Sequence, residues 1–118
     1  MKEKAVSQYE GGKFLAQYRS ASVAALITGV DNSHLYKVAT GVRAKTGGYS
    51  FKYIKSFGIS SNTRVVLRDA TNTILAIFRD RTTASRYLGI PVKDLVTAEL
   101  NREWLALRGY GTRVTVGN

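Results

Sequence analysis

Cysteine is absent from this 118-residue chain. Disulfide bridges and thiolate metal sites are therefore excluded, which fits a reducing cytosol. Acidic side chains number only 8, and His34 is the single histidine. A metal-dependent nuclease needs clustered carboxylates and histidines, and a lone histidine cannot build a zinc site. No glycine-rich phosphate loop with a lysine occurs, no His-Glu-x-x-His, and no serine–histidine–carboxylate set in a sensible context. No apolar run approaches the roughly 18 residues of a membrane span. The opening Met-Lys-Glu-Lys has no apolar segment behind its charges, so neither a signal peptide nor a membrane partner is expected. These absences point to a cytoplasmic protein without catalytic residues, metal ligands or cofactors.

What the chain has is positive charge. Lys and Arg number 18, giving a net charge of +10 and a pI near 10.2. Solubility alone needs a net charge of only about 2–8 in a small domain. The excess favours a polyanionic partner, nucleic acid before anionic membrane. It is uneven: residues 1–59 carry 9 basic and 3 acidic side chains, residues 60–118 carry 9 and 5. The apolar fraction of 44% is enough for a core.

An internal repeat runs through the chain at an offset of about 60 residues. Tyr18 aligns with Phe78, Ala24 with Ala84, Gly29 with Gly89, Val30 with Ile90 and Leu35 with Leu95. Gly48-Tyr49 aligns with Gly109-Tyr110, one residue out of step. Each half opens with a hairpin pattern. Residues 6–9 and 13–18 flank Gly11-Gly12, and residues 64–68 and 74–78 flank the turn residues 69–72. A short helix follows, over 20–28 and 82–88, with Ser20 and Thr82 as expected N-caps and Gly29 and Gly89 as stops. A second helix is expected over 32–40 and over 92–107, with Pro91 in its first turn. An alternating segment closes each half, Tyr49, Phe51 and Tyr53 in one and Val114 and Val116 in the other. Residues 54–63 connect the halves and allow two small sheets to meet. The expected fold is α+β: two tandem small units, residues 1–57 and 58–118, each a β-hairpin, a helix-turn-helix and a closing β-strand. The aligned aromatics Tyr18, Tyr49, Phe78, Tyr87 and Tyr110 are expected to pack in the core rather than stack on bases.

Two helices meeting at a steep angle need a tight turn and small residues at the crossing. Ala24, Ala25 and Gly29 supply these once, and Ala84, Ser85 and Gly89 again. Val30 and Ile90 then plug the corner. At these residues the sequence resembles the nuclease-associated modular DNA-binding domain of phage and organellar homing endonucleases. The likeness is carried by the stretch from Gly12 to Ser20, by Val23-Ala24-Ala25 and Thr28-Gly29-Val30, and above all by Gly47-Gly48-Tyr49-Ser50-Phe51-Lys52-Tyr53. The second half is similar but degenerate, and replaces the short basic loop 41–46 with a longer helical segment over 101–108. The resemblance implies a helix-turn-helix whose second helix enters the major groove. It also implies a phage or mobile-element setting. The chain departs from the family in having no room for a nuclease.

A recognition helix reads bases from its first turns. In the first half those positions are Asn32, Ser33, His34, Tyr36 and Lys37. Asn can bond adenine in bidentate fashion and Lys can donate to guanine. In the second half they are Lys93 and Thr97, with Asp94 and Glu99 placing negative charge nearby. Phosphate contacts are expected from Arg19, Arg43, Lys45 and Lys52, and from Arg79, Arg81, Arg86, Arg102 and Arg108. The leading expectation is a non-catalytic double-stranded DNA-binding protein, a phage or mobile-element transcription regulator acting as a monomer, with a dimer as the alternative. Two other readings stay open. One is a phage-type inhibitor whose basic face meets an acidic host protein, a reading that an acidic stripe of Asp80, Asp94, Glu99 and Glu103 on one surface of the second half would favour. The other is an RNA-binding module using the basic loop 41–46.

Overall fold

A computed structural model of the chain describes residues 4–42, 48–55, 57, 65–106 and 113–117. The protein is α+β, with a seven-stranded antiparallel sheet and four helices. In chain order the elements are β1 (Ala5–Glu10), β2 (Lys13–Tyr18), α1 (Ala21–Thr28), α2 (Asn32–Ala39), β3 (Ser50–Ile54), β4 (Val65–Asp69), β5 (Ile74–Phe78), α3 (Arg81–Leu88), α4 (Val92–Asn101), β6 (Leu105–Ala106) and β7 (Arg113–Gly117). The spatial order is β3-β1-β2-β5-β4-β7-β6. There are not two small sheets but one, continuous across the midpoint of the chain.

Local chemistry explains the turns. Gly11 and Gly12 both adopt positive φ, 57° and 80°, so β1 and β2 can close tightly without a Cβ penalty. The β4–β5 turn is held by Asp69, whose carboxylate accepts from the backbone N–H of Thr71 (2.9 Å) and of Thr73 (3.0 Å). Asn72, one of the few non-glycine residues that tolerate it, takes φ 66° there. Both hairpins carry a bulge at the same place. Register shifts between Gln8 and Tyr9 against β2, and between Leu67 and Arg68 against β5, leaving Leu15 and Leu75 as the extra residues.

The sheet's middle seam is β2 against β5. Ala16 pairs with Phe78, Gln17 with Ile77 and Tyr18 with Ala76. Just beyond, the N–H of Arg19 donates to the Leu75 carbonyl and the N–H of Arg79 to the Leu15 carbonyl, both at 2.8 Å. The two bonds correspond at the repeat offset: Arg79 stands 60 residues after Arg19, and Leu75 stands 60 after Leu15.

Paired residues share a face of a sheet. Val6, Gln8, Ala16, Tyr18, Phe51, Val65, Leu67, Ala76, Phe78 and Val116 therefore lie on one side. That side is covered by the helices, through Ala24 and Ile27 of α1, Leu35 and Val38 of α2, Ala84 of α3, and Leu95 and Ala98 of α4, in a single apolar core. Ser7, Gln17, Lys52, Val66, Ile77 and Thr115 fall on the opposite side. At one outer flank β3 carries exposed Lys52, and at the other β6 has only two residues. Charged or very short edges discourage pairing with further strands.

The core holds one buried polar relay. The Tyr18 hydroxyl donates to Gln8 Oε1 at 2.6 Å, and Gln8 Nε2 donates to the Tyr87 hydroxyl at 2.9 Å. It ties β1 and β2 to α3, which belongs to the other half of the chain. Burial pushes the Tyr18 phenol well above its ordinary range, with Tyr87 and Tyr49 adding to the effect.

Three local expectations are corrected. The N-cap of α3 is Asp80, not Thr82: its carboxylate accepts from the N–H of Thr83 at 2.7 Å and Arg81 opens the helix. Pro91 occupies the N-cap of α4 rather than its first turn. The helix expected over 92–107 stops at Asn101, where Arg102 turns left-handed with φ 51°. Leu105 and Ala106 then pair with β7 as a strand. The expected helical segment over 101–108 is therefore absent beyond Asn101 within its described part.

Two substitutions should move stability in opposite directions. Tyr18→Phe removes the donor to a buried amide oxygen and should cost about 1–3 kcal/mol. Gln17 Oε1 is buried on the opposite face without any hydrogen-bond partner. Gln17→Ile relieves that acceptor and suits a strand, and should gain about 1 kcal/mol. Urea unfolding midpoints at constant m-value check both.

Candidate nucleic-acid interface

The helices of each half are joined by three residues, 29–31 between α1 and α2 and 89–91 between α3 and α4. Gly29 and Gly89 take φ 77° and 71°, and their N–H groups close the preceding helices on the carbonyls of Ala25 and Ser85. The next residue, Val30 or Ile90, packs against the core. The chain thus changes direction within three residues and leaves one face of the second helix in solvent.

Ser20 caps α1 through a 3.2 Å bond from the Val23 N–H. Asp31 caps α2: its carboxylate accepts from the backbone N–H of Ser33 (2.9 Å) and of His34 (3.4 Å), and from the Ser33 hydroxyl (2.5 Å). The Ser33 hydroxyl bond and then the backbone N–H of His34 hold the Asp31 carboxyl below its usual range. Leu35 and Val38 point into the core. Asn32, Ser33, His34, Tyr36, Lys37 and Thr40 are all exposed, Tyr36 at 57%. The face expected to read bases is thus presented to solvent along the whole of α2.

A cation that sequence reasoning missed joins this face. Lys4 Nζ lies 5.6 Å from the centre of the Tyr53 ring. Tyr53 in turn stands near Tyr36: partial burial, then Tyr36, raises its phenol above the ordinary value. Only the pairing of β1 with β3, Val6 opposite Tyr53, brings Lys4 there. No local sequence signal marks it.

α4 presents a weaker version. Val92, Lys93, Asp94 and Thr97 are exposed. The Thr97 hydroxyl is turned back onto the Lys93 carbonyl at 3.1 Å. Where α2 has Asn32, Ser33, His34 and Lys37, α4 has Val92, Lys93, Asp94 and Thr97.

The expected phosphate-binding residues do not converge. Lys52 lies on the sheet face away from the helices, its Nζ 5.8 Å from the Tyr9 ring centre. Arg81 is committed to Glu99 by two bonds of 2.8 and 3.2 Å that tie α3 to α4. Arg79 stands 3.7 Å from the Asp80 carboxylate. Arg86 lies 3.9 Å from Glu10 and beside the hydroxyls of Tyr87 and Tyr49. Partial burial and the neighbouring Tyr49 hydroxyl push the Tyr87 phenol up to about 12. Arg19 is half-buried, and Arg102 is exposed beyond α4. Arg43, Lys45 and Arg108 lie outside the described residues, as do most of loop 41–46 and Tyr110.

Of the proposed acidic stripe, Asp80 caps α3 and Glu99 binds Arg81, while Asp94 and Glu103 are exposed. A cavity of about 500 Å³ opens at the far end of α4, lined by Arg68, Asp69, Glu99, Arg102, Trp104 and Thr115 among others. Among the described residues no three His, Asp or Glu side chains converge as a metal site, and no helix is long and apolar enough to cross a membrane.

Neither a family model nor a curated protein nor a solved structure matches this chain. The residues themselves therefore carry the functional argument.

The Asp31 cap should titrate. Its carboxyl pKa is depressed in the fold, so the cap is complete above the ordinary carboxylate range and is lost as pH falls through the depressed value. A carbon-detected NMR titration should place Asp31 below its ordinary 3.8. Asp31→Asn, which caps nearly as well, should leave thermal unfolding at neutral pH almost unchanged. It should also remove this carboxyl's share of the acid-induced loss of stability.

Proposed function

We propose that the protein is a non-catalytic double-stranded DNA-binding protein, built as two helix-turn-helix units, with α2 as the principal recognition helix. The observation that carries this reading is the surface of α2. A capped helix, reached through a three-residue glycine turn, leaves Asn32, Ser33, His34, Tyr36 and Lys37 exposed to solvent. These are side chains able to bond base edges and phosphates. The net charge of +10 supplies the long-range attraction. The resemblance of the first half to the modular DNA-binding domain of homing endonucleases agrees with it and supports a phage or mobile-element regulator. α4 contributes less, since Asp94 repels phosphate and Val92 offers no hydrogen bond.

Protein binding is the second reading, and one observation favours it. Leu100 is 79% exposed and Trp104 is 51% exposed at the end of α4. Aromatic and aliphatic side chains left in solvent together are typical of contact surfaces.

Fluorescence anisotropy on random-sequence duplex DNA tests the proposal. The wild type should bind at low salt, with a log–log salt slope of about −5 if roughly six phosphates are neutralised. Lys37→Ala should weaken binding at least about fivefold. Asp31→Asn, which removes a negative charge beside the same helix, should tighten it. Absence of duplex binding at low salt refutes the function, and undiminished binding by Lys37→Ala refutes the assignment of α2.

A further inference from the structure

The repeat runs head to tail in sequence, so two units strung along the chain would be expected to read a direct repeat in DNA. The seam between β2 and β5 argues otherwise. An antiparallel ladder has local two-fold axes perpendicular to the sheet. Here one such axis passes through the Gln17–Ile77 pair, and these two residues stand 60 apart in sequence. About it the Ala16–Phe78 pair exchanges with the Tyr18–Ala76 pair. The bond from Arg19 N–H to the Leu75 carbonyl likewise exchanges with the bond from Arg79 N–H to the Leu15 carbonyl, at identical length. The bulges that free Leu15 and Leu75 are themselves matched. The repeat offset and the pairing register therefore share one axis.

That axis is normal to the face on which all four helices pack. At the same offset of 60 it relates α1 to α3, which touch each other, and α2 to α4, all on this one face. α2 packs on β3 and α4 on β7, the fifth strand along from it. Duplex DNA has two-fold axes of its own, perpendicular to its length. Proteins that place a two-fold on one of these read half-sites of opposite orientation.

We infer that the DNA target is an imperfect inverted repeat, bound by one chain across the helix face with its internal two-fold on the DNA dyad. The inference rests on the DNA-binding reading above. Its dimensions are bounded. Five strand intervals of about 4.8 Å put the outer helices at least roughly 24 Å apart. The molecule's longest extent is 43 Å. At about 3.4 Å per base pair, half-site centres stand roughly 7–12 base pairs apart, which includes a single helical turn. The half-sites differ, because Asn32, Ser33, His34 and Lys37 face one and Val92, Lys93, Asp94 and Thr97 the other.

Selection from a random duplex library by the full chain tests this, alongside a symmetrised chain carrying Val92→Asn, Lys93→Ser, Asp94→His and Thr97→Lys. All four positions are exposed. The wild type should enrich two unequal half-motifs in inverted orientation, within the stated spacing. The symmetrised chain should enrich a palindrome of the α2 half-motif and bind it at least about tenfold more tightly than the same half-motifs arranged as a direct repeat. A direct repeat, a single half-motif, a spacing of two helical turns, or binding without any enriched motif each overturns the inference while leaving DNA binding intact. Failure of the wild type to bind any duplex at low salt overturns the DNA-binding reading, and the inference with it.

Discussion

The architecture depends on six residues of backbone pairing between β2 and β5. Without that seam, each half has an unpaired strand edge next to its own hairpin, and the core divides. With it, the two half-sheets become one, and α1 and α3 meet above the join. The seam is also where the main polar cost is taken. Tyr18, at one end of it, is fully buried and must find an acceptor, which Gln8 supplies. Gln8 then reaches Tyr87 on α3, so one hydrogen-bond relay spans both halves of the chain. Burial of a relay is favourable only when every member is satisfied, and this one runs out of the core to Tyr87, beside Tyr49 and Arg86.

The same economy governs the charges. The second half carries as many cations as the first, but spends several of them internally. Arg81 fastens α3 to α4 through Glu99, and Arg86 sits among Glu10, Tyr49 and Tyr87 at the junction of the halves. Lys37 and Lys93, by contrast, are exposed on α2 and α4. Net charge in sequence is therefore a poor guide to where uncommitted cationic side chains lie. What distinguishes α2 from α4 is the chemistry of its exposed residues, Asn32, His34 and Lys37 where α4 has Val92, Asp94 and Thr97.

Much of the local architecture was legible. Glycines at 11, 12, 29 and 89 marked turns because only a residue without a Cβ adopts positive φ freely, and all four do so. Turn residues placed the hairpin strands and period-two alternation the two closing ones, while β6 was missed; caps and glycine stops bounded α1 to α3 closely. The misses have physical causes. Asp80 and Thr82 are both good caps, and the choice between them turns on backbone geometry that composition does not encode. α4 was overextended because Glu103, Trp104 and Leu105 continue a helical pattern. The pairing of Leu105 and Ala106 with β7, a tertiary contact, stops it. Whether two half-sheets join, and by which strands, depends on long-range pairing that no local pattern reports. The same ignorance hid Lys4, and hid that Lys52 faces away from α2. The surface of α2 was legible because it depends on local helical periodicity alone.

The two-fold seam has an evolutionary reading. A chain of half this length, exposing the edge of β2, would find its natural complement in a second copy of itself, and the product would be the six strands β3-β1-β2-β5-β4-β7, without β6. Joining the two copies in one polypeptide removes the dependence on concentration and, with it, the obligation to be identical. Thr97 could then depart from its counterpart Lys37, and Asp94 from His34, without altering the other half. A symmetric dimer must change both of its surfaces at once; a single chain with this seam can change one.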